Sequence, residues 1–320
     1  MAITLAEAKV GMADKVDQQV VDEFRRSSLL LDALTFDDSV SPGTGGSTLT
    51  YGYVKLLTPA TAGFRALNSE YTAQEAKRTK ATADLKIFGG SAQLDRVLQA
   101  TSGAINEMSF QLEQKVKGAT NLFHNAVING DATQAEDEFD GLDTMLTGSS
   151  TEYNTTTAVD LSTSANLDTN YKAFLDMLDE FLSGLDGVPG MLMGNAKLLT
   201  KIRSAARRAG YLTQSEDAFG RKVQGYNGVP LVDLGYYYNG TTTVPTVAID
   251  GTAGTTDLYA AAFGLDAFHA VSPAGGKLIN TYLPDLTQPG AVKKVEVEMV
   301  AAVVLKNSRK AGVFRKIKVQ

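Results

Sequence analysis

The spacing of apolar and polar positions changes period several times along this chain, and each change marks an element. From Thr101 to Asn129, residues Ile105, Met108, Leu112, Val116, Ala119, Leu122, Phe123, Ala126 and Val127 recur at intervals of three and four. That period predicts one long helix of about 25 residues and ~38 Å. Asn129-Gly130 supplies its stop. Residues 4–34 are also helical in pattern, with Val16, Val20, Val21 and Phe24 forming an amphipathic stripe that Leu29, Leu30, Leu31 and Leu34 extend. A terminal segment of this kind needs a docking surface, either on a neighbouring copy or on its own core. Ser39–Ser47, SVSPGTGGS, is a break.

Alternation then takes over. STLTYGYVKLL places Leu49, Tyr51, Tyr53 and Lys55 on one strand face, and a second strand-like run spans Thr82–Phe88. Between them Thr58–Lys80 is polar and carries Arg65, Glu70, Glu75, Lys77 and Arg78. This is the pattern of a long extended hairpin, which is marginal in water alone. An edge hairpin of an ordinary sheet with a long insertion has the same pattern.

Further along, Gly190–Gly194 is a short apolar run with the length of a buried strand. Asn195 follows as N-cap of a helix over Ala196–Ala209, closed by Gly210. Gly225-Tyr226-Asn227-Gly228-Val229-Pro230 is a turn leading into Leu231-Val232-Asp233. Thr144–Thr169 reads as loop with two short β-prone patches at most, followed by a helix capped by Asp168 or Thr169 and running through Leu182. Leu231–Leu234, Thr243–Ile249 and Leu258–Phe263 read as strands, and Tyr236–Thr243 as a turn or loop. A half-exposed strand over Lys293–Met299 continues into a more buried run to Leu305, and Val313–Val319 is a short return strand. No internal repeat is evident.

Composition narrows the class. The chain has 320 residues, 43% hydrophobic and 21% charged, which suits a folded protein with more than one subdomain. No run approaches the ~18 apolar residues of a membrane span. The opening MAITLAEAKVGMADKVD lacks the basic start and apolar centre of a signal peptide. Cysteine is absent, which excludes disulfides and thiolate sites. A net charge of −6 argues against a dedicated nucleic-acid binder, which needs a basic face.

Candidate chemistry is sparse. There is no G-x-S-x-G, no Walker A loop and no H-E-x-x-H. Gly43-Thr44-Gly45-Gly46 lacks the spacing of a dinucleotide loop and reads as a hinge. The two histidines, His124 and His269, have no ligand-like partner at i+3 or i+4, so both are expected to be structural. The acidic patch Asp131, Glu136, Asp137, Glu138, Asp140 and Asp143 departs from calcium-loop spacing. It is expected to be solvated, or to meet a basic loop of a neighbour. Arg203, Arg207 and Arg208 either complement a helix C-terminus or line an opening between copies. No catalytic, cofactor-binding or metal-ligating residue is expected.

The order of these features resembles the major capsid proteins of tailed bacteriophages, the Hong Kong 97-type fold. The features are amphipathic arm, long hairpin, long helix, the Asn129-Gly130-Asp131 to Phe139-Asp140-Gly141-Leu142 junction, M-L-M-G-N-A strand-helix, G-Y-N-G-V-P turn and terminal long strand. The resemblance runs from about Leu29 to Val319. It implies an α+β fold with an N-terminal arm (1–45), an extended loop hairpin (46–91), a peripheral domain with a long spine helix (92–141 and 285–320) and an axial domain (142–284). It further implies a non-enzymatic subunit that assembles with itself into pentamers and hexamers of an icosahedral head enclosing double-stranded DNA without sequence-specific binding. Expected partners are a scaffolding protein, a portal and a decoration protein, with no membrane; the expected location is the virion, assembled in the bacterial host cytoplasm. Capsid-like features begin by Leu29, which implies a separate scaffold or a processed chain. Deleting residues 1–34 is expected to leave a folded subunit that assembles poorly. Some relatives cross-link through a Lys and an Asn; Lys77 and Lys80 lie in the hairpin, but no partner Asn or acid is placed, and no cross-link is assigned. An encapsulin-type compartment shell is the alternative of the same fold. A carbohydrate-binding or hydrolase domain is disfavoured by the absence of Trp and of an evident carboxylate pair.

Overall fold

The computed structural model describes residues 29–40, 46–58, 60–97, 107–210, 213–216, 222–273, 279–284 and 289–320. The stripe Val16–Phe24, most of the Gly43–Gly46 hinge and Ile105 lie outside them. The chain begins with α1 (Leu29–Ala33) and β1 (Phe36–Ser39), then β2 (Thr50–Thr58), β3 (Lys77–Asp84) and β4 (Lys86–Asp95). Next come α2 (Glu107–Asn129), α3 (Leu142–Leu146), β5 (Glu152–Asp160) and α4 (Ser164–Ser183). The middle holds β6 (Met191–Gly194), α5 (Ala196–Ala209), β7 (Thr213–Glu216), β8 (Lys222–Tyr226) and β9 (Val229–Asp233). Then follow β10 (Tyr236–Tyr238), β11 (Thr243–Pro245), β12 (Thr255–Ala261), β13 (Phe268–Pro273) and β14 (Ile279–Tyr282). The long β15 (Val292–Leu305) and β16 (Ala311–Lys318) close the chain.

Two sheets organise this α+β fold. A five-stranded sheet runs β1-β13-β15-β14, with β4 also paired to β15, and a seven-stranded sheet runs β5-β16-β12-β6-β9-β8-β7. The seven-stranded sheet is covered on both faces. On β12, Tyr259 and Ala261 join the core shared with α2 and β15, while Leu258 and Ala260 join the core beneath α4 and α5. Strand β6 does the same with Met191 and Met193 against Leu192. Side chains alternate along a strand, so a strand buried on both faces reads as an unbroken apolar run. That is why M-L-M-G is apolar throughout, and all four of its residues are buried.

Local signals set several boundaries. The Asn195 side chain accepts from the Lys197 N–H at 3.0 Å, and Gly210 closes α5 at φ 78°. Asn227 and Gly228 take φ of 49° and 80°, the two-residue turn that reverses β8 into β9. At the end of α2, Gly130 and Gly141 stack backbone on backbone: the Gly141 N–H donates to the Gly130 carbonyl at 2.8 Å. A Cβ on Gly130 would lie 2.2 Å from the Phe139 oxygen, and one on Gly141 would lie 2.6 Å from the Ala126 and Ile128 oxygens. Only glycine fits either position of the N-G…G-L junction.

Other expectations are corrected. The segment 144–169 is not mainly loop. It contains α3, the nine-residue β5 and the start of α4, whose cap is Thr163, accepting from the Asn166 N–H at 3.1 Å. Polar Thr and Asn disguised β5, a half-buried strand held by parallel pairing with β16. The run expected over Thr82–Phe88 divides at Leu85 into β3 and β4, which pair with different partners. Tyr236–Thr243 forms the small β10–β11 hairpin. Leu122, placed on the buried stripe of the long helix, is 37% exposed, and Ile128 is buried instead.

The expected division at 284/285 does not follow the sheets. β13, within 142–284, pairs with β15, and β16, within 285–320, joins β12 and β5. Sequence adjacency carries no information about which sheet a strand enters. Leu30 and Leu34 are buried in the core shared with α2 and β15, so α1 packs on the folded body.

Candidate assembly surfaces

Among the described residues the hairpin β2–β3 pairs only with itself. Its root is fixed by the Leu85 N–H to Leu49 carbonyl bond (2.7 Å) and by Thr50 Oγ1 donating to Asp84 (2.9 Å). Tyr51 reaches from the root into the body: its hydroxyl donates to Asp37 on β1 at 2.6 Å, and its ring meets His269 edge-on at 5.9 Å. Beyond the root, residues 60–80 are all exposed. Phe64 and Leu67 at the tip are 109% and 89% exposed. Burying each would contribute about 1.5–3 kcal/mol, so water is not the environment this tip favours.

α2 is buried only in its C-terminal half. Its buried residues are Ala119, Phe123, His124, Val127 and Ile128, and none of residues 107–118 is fully buried. Phe123 anchors the helix, stacking on Phe88 of β4 at 5.8 Å and on Phe36 of β1 at 6.4 Å.

The histidines are not brought together. His124 lies on the buried face of α2, and burial pushes its pKa down to about 4. His269 is the second residue of β13, and it is fully buried. Neither of its ring nitrogens has a partner in hydrogen-bonding geometry. Burial and then Lys306 lower its pKa, against weaker upward pulls from the Ala267 carbonyl, Asp37 and Asp266.

The acidic patch divides by role. Asp131 caps its own turn through the Thr133 N–H (2.8 Å) and hydroxyl (2.6 Å), and Asp140 accepts the Ala132 N–H at 3.1 Å. Asp143 is drawn into the body by Arg315. That guanidinium bonds Asp143 (2.5 Å), Glu152 (2.7 Å), Asp257 (2.9 Å) and the Thr147 hydroxyl (2.9 Å). Tyr259 adds a 2.8 Å donation to Asp143. Burial pulls the Arg315 pKa down, and its bonds to Glu152, Asp257 and Asp143 more than offset this and hold it up. The cluster ties α3, β5, β12 and β16 together. At its centre β16 bulges, with Lys316 at φ 61°, and Asp257 closes the bulge by accepting the Lys316 N–H at 3.0 Å. The sequence carried no signal for this group, because its carboxylates come from segments far apart in the chain. Glu136, Asp137 and Glu138 stay exposed.

Of the helix arginines, Arg208 pairs with Asp168 at 2.6 Å, Arg207 is exposed, and Arg203 is partly buried with its Nε unpartnered. Among the described residues, no group of three His, Cys, Asp or Glu side chains could hold a metal ion. No described helix is long and apolar enough to cross a membrane.

No protein-family model matches the sequence, and no curated protein matches it. Solved structures do match. A chain of the holo-SrpI encapsulin complex from Synechococcus elongatus PCC 7942 superposes with TM-score 0.67 at 12% identity, covering 99% of this chain and 97% of that one. A chain of Mycobacterium phage Bobi gives 0.61 at 11% identity, covering 100% of both chains. The capsid of Myoviridae phage XM1 gives 0.56 at 15% identity, covering 99% of each. Agreement over the whole length at such low identity means a shared fold.

Proposed function

We propose that this chain, which has the Hong Kong 97-type capsid fold, is a major capsid protein that assembles with itself into pentamers and hexamers of an icosahedral phage head around double-stranded DNA. The observation that carries the reading is the hairpin. It projects from the body, pairs only with itself and ends in exposed Phe64 and Leu67. A second copy can supply the missing surface, and repeated heterologous contacts of this kind close into rings. In this reading the five-stranded sheet with α2 is the peripheral unit, and the seven-stranded sheet with α4 and α5 is the axial unit. Residues 1–45 are the N-terminal arm of this reading, with α1 packed on the body. A scaffolding protein, a portal and a decoration protein are the further partners. Assembly takes place in the bacterial host cytoplasm, the product is the virion, and the chain has no catalytic role.

One observation favours a second reading. The encapsulin chain superposes with a higher TM-score than either phage chain above. An encapsulin-type compartment would present the same hairpin and the same shell geometry, with protein cargo in place of DNA.

Negative-stain microscopy and light scattering of the purified full chain, with and without a candidate scaffold, test the proposal. Closed shells or five- and six-membered rings are expected. Replacing residues 60–76 by Asn-Gly should leave a folded monomer. A chain that stays monomeric under all of these conditions overturns the shell reading. Nuclease-protected DNA inside particles from the native source separates a virion from a protein-filled compartment.

A further inference from the structure

The hairpin stem and the turn at its root carry opposite, unsatisfied charge. Lys77, Arg78 and Lys80 lie together on β3, all exposed. Among the described residues none of the three makes an ion pair. Of the nearby carboxylates, Asp84 is taken by Thr50, and Glu75 makes no ion pair with them. Arg78 and Lys80 stand opposite Leu56 and Val54, so they share the stem face away from Tyr51 and Tyr53. Val54 on that face is 62% exposed. The face is therefore apolar in part and cationic, and among the described residues its cations make no ion pair.

The complementary surface is the turn after α2. Glu136, Asp137 and Glu138 are consecutive and exposed, and none makes an ion pair among the described residues. Three adjacent like charges repel one another, and Asp131 and Asp140 already hold the turn's shape. The turn is tied to the hairpin root, where Lys86 Nζ donates to the Glu136 carbonyl. The stem cations lie further out. At ~3.3 Å per residue, Lys80 stands ~13 Å and Arg78 ~20 Å beyond Asp84 along the strand. The acidic turn lies toward the other stem face, where Asp140 is close enough to help burial raise the Tyr53 pKa. Arg78 and Lys80, on the face away from Tyr53, point away from the acidic turn of their own chain, which leaves each surface open to a second copy.

We infer that the cationic stem, with Arg78 and Lys80 on its outer face and Lys77 at the start of the strand, docks on the Glu136-Asp137-Glu138 turn of a second copy of this chain. The inference rests on the shell-subunit reading and deepens it by naming the neighbour's surface. Docking sets the register between subunits, and the apolar tip, Phe64 and Leu67, continues past the acidic turn. Charge contacts at such a rim govern specificity and encounter more than total affinity.

The test uses full-length chains with charge reversed on either side. One carries Lys77→Glu, Arg78→Glu and Lys80→Glu; another carries Glu136→Lys, Asp137→Lys and Glu138→Lys; a third carries all six. Circular dichroism establishes folding, and light scattering gives the concentration at which each assembles in low salt. Each triple variant should need at least about tenfold more protein than the wild type. The sixfold variant should recover most of the loss, and the two triple variants mixed should form mixed oligomers that neither forms alone. Should a triple variant fail to fold, Arg78→Glu against Asp137→Arg carries the same comparison. Triple variants that assemble like the wild type, or a sixfold variant that does not recover, overturn the docking while leaving the shell reading intact. A wild type that never assembles overturns both.

Discussion

His124 makes the folded subunit sensitive to mild acid, and the size of the effect follows from its burial. The side chain sits on the inward face of α2 beside Phe123 and Val127, and burial lowers its pKa from 6.5 to about 4. In the unfolded chain it titrates near 6.5. Between those values the unfolded state binds the proton and the folded state does not, so lowering the pH favours unfolding. The stability lost is RT ln[(1 + 10^(6.5−pH))/(1 + 10^(4−pH))], about 2 kcal/mol at pH 5 and about 3 kcal/mol at pH 4. The loss starts as pH falls through the unfolded pKa and levels off below the folded one. Carboxylates held low, such as Glu152 and Asp160, have the same sign, but their loss comes at lower pH. The assay is urea unfolding of the unassembled subunit by circular dichroism at pH 7, 6 and 5, for the wild type and for His124→Leu. The wild type should lose ~2 kcal/mol or more between pH 7 and pH 5, and the variant should lose ~2 kcal/mol less. Equal pH dependence in the two proteins, or a His124 that titrates above pH 6 in the folded state, refutes the reasoning.

Arg315→Met leaves Asp143, Glu152 and Asp257 facing one another without a cation. It should cost about 2–3 kcal/mol by urea unfolding, below the range for fully buried pairs because the cluster is partly open to water. Gly141→Ala drives a methyl into the Ala126 and Ile128 carbonyls and should destabilise by about 3 kcal/mol or more, or abolish soluble expression, whereas Gly118→Ala, where the new Cβ meets nothing, should stabilise α2 slightly. His269→Leu removes two unpartnered buried nitrogens and should raise stability by about 1 kcal/mol at pH 7, and by more at pH 5; a loss at both pH values would show that the ring is satisfied in solution. Extending a deletion of residues 1–28 to residues 1–34 should lower the melting temperature sharply, because Leu30 and Leu34 are core residues.

Elements with a local signal were legible from the chain. The end of α2 at Asn129-Gly130, the M-L-M-G strand, the Asn195 cap, the Gly210 stop and the Asn227-Gly228 turn each follow from residues within a few positions of one another. So does the long hairpin, whose alternation and polar tip are both in the sequence. Where a polar strand borrows its stability from a partner, the signal fails. β5 is rich in Thr and Asn and is a strand because β16 pairs with it. α4 begins at Thr163, five positions before the expected cap at Asp168, because its first turns are polar and Leu167 is their one fully buried residue.

The chain by itself therefore determined the type and order of most elements and the absence of familiar catalytic motifs, because these depend on period, capping and turn chemistry within a short window. Only the tertiary structure decided which sheet each strand enters, so that β13 joins β15 while β16 crosses to β12. It alone placed three distant carboxylates around Arg315 and buried His269 without partners. It also left the stem cations and the acidic turn exposed, with no ion pair between them among the described residues. Strand pairing and long-range charge contacts are set by packing between segments far apart in sequence, and no local pattern encodes the distance between them.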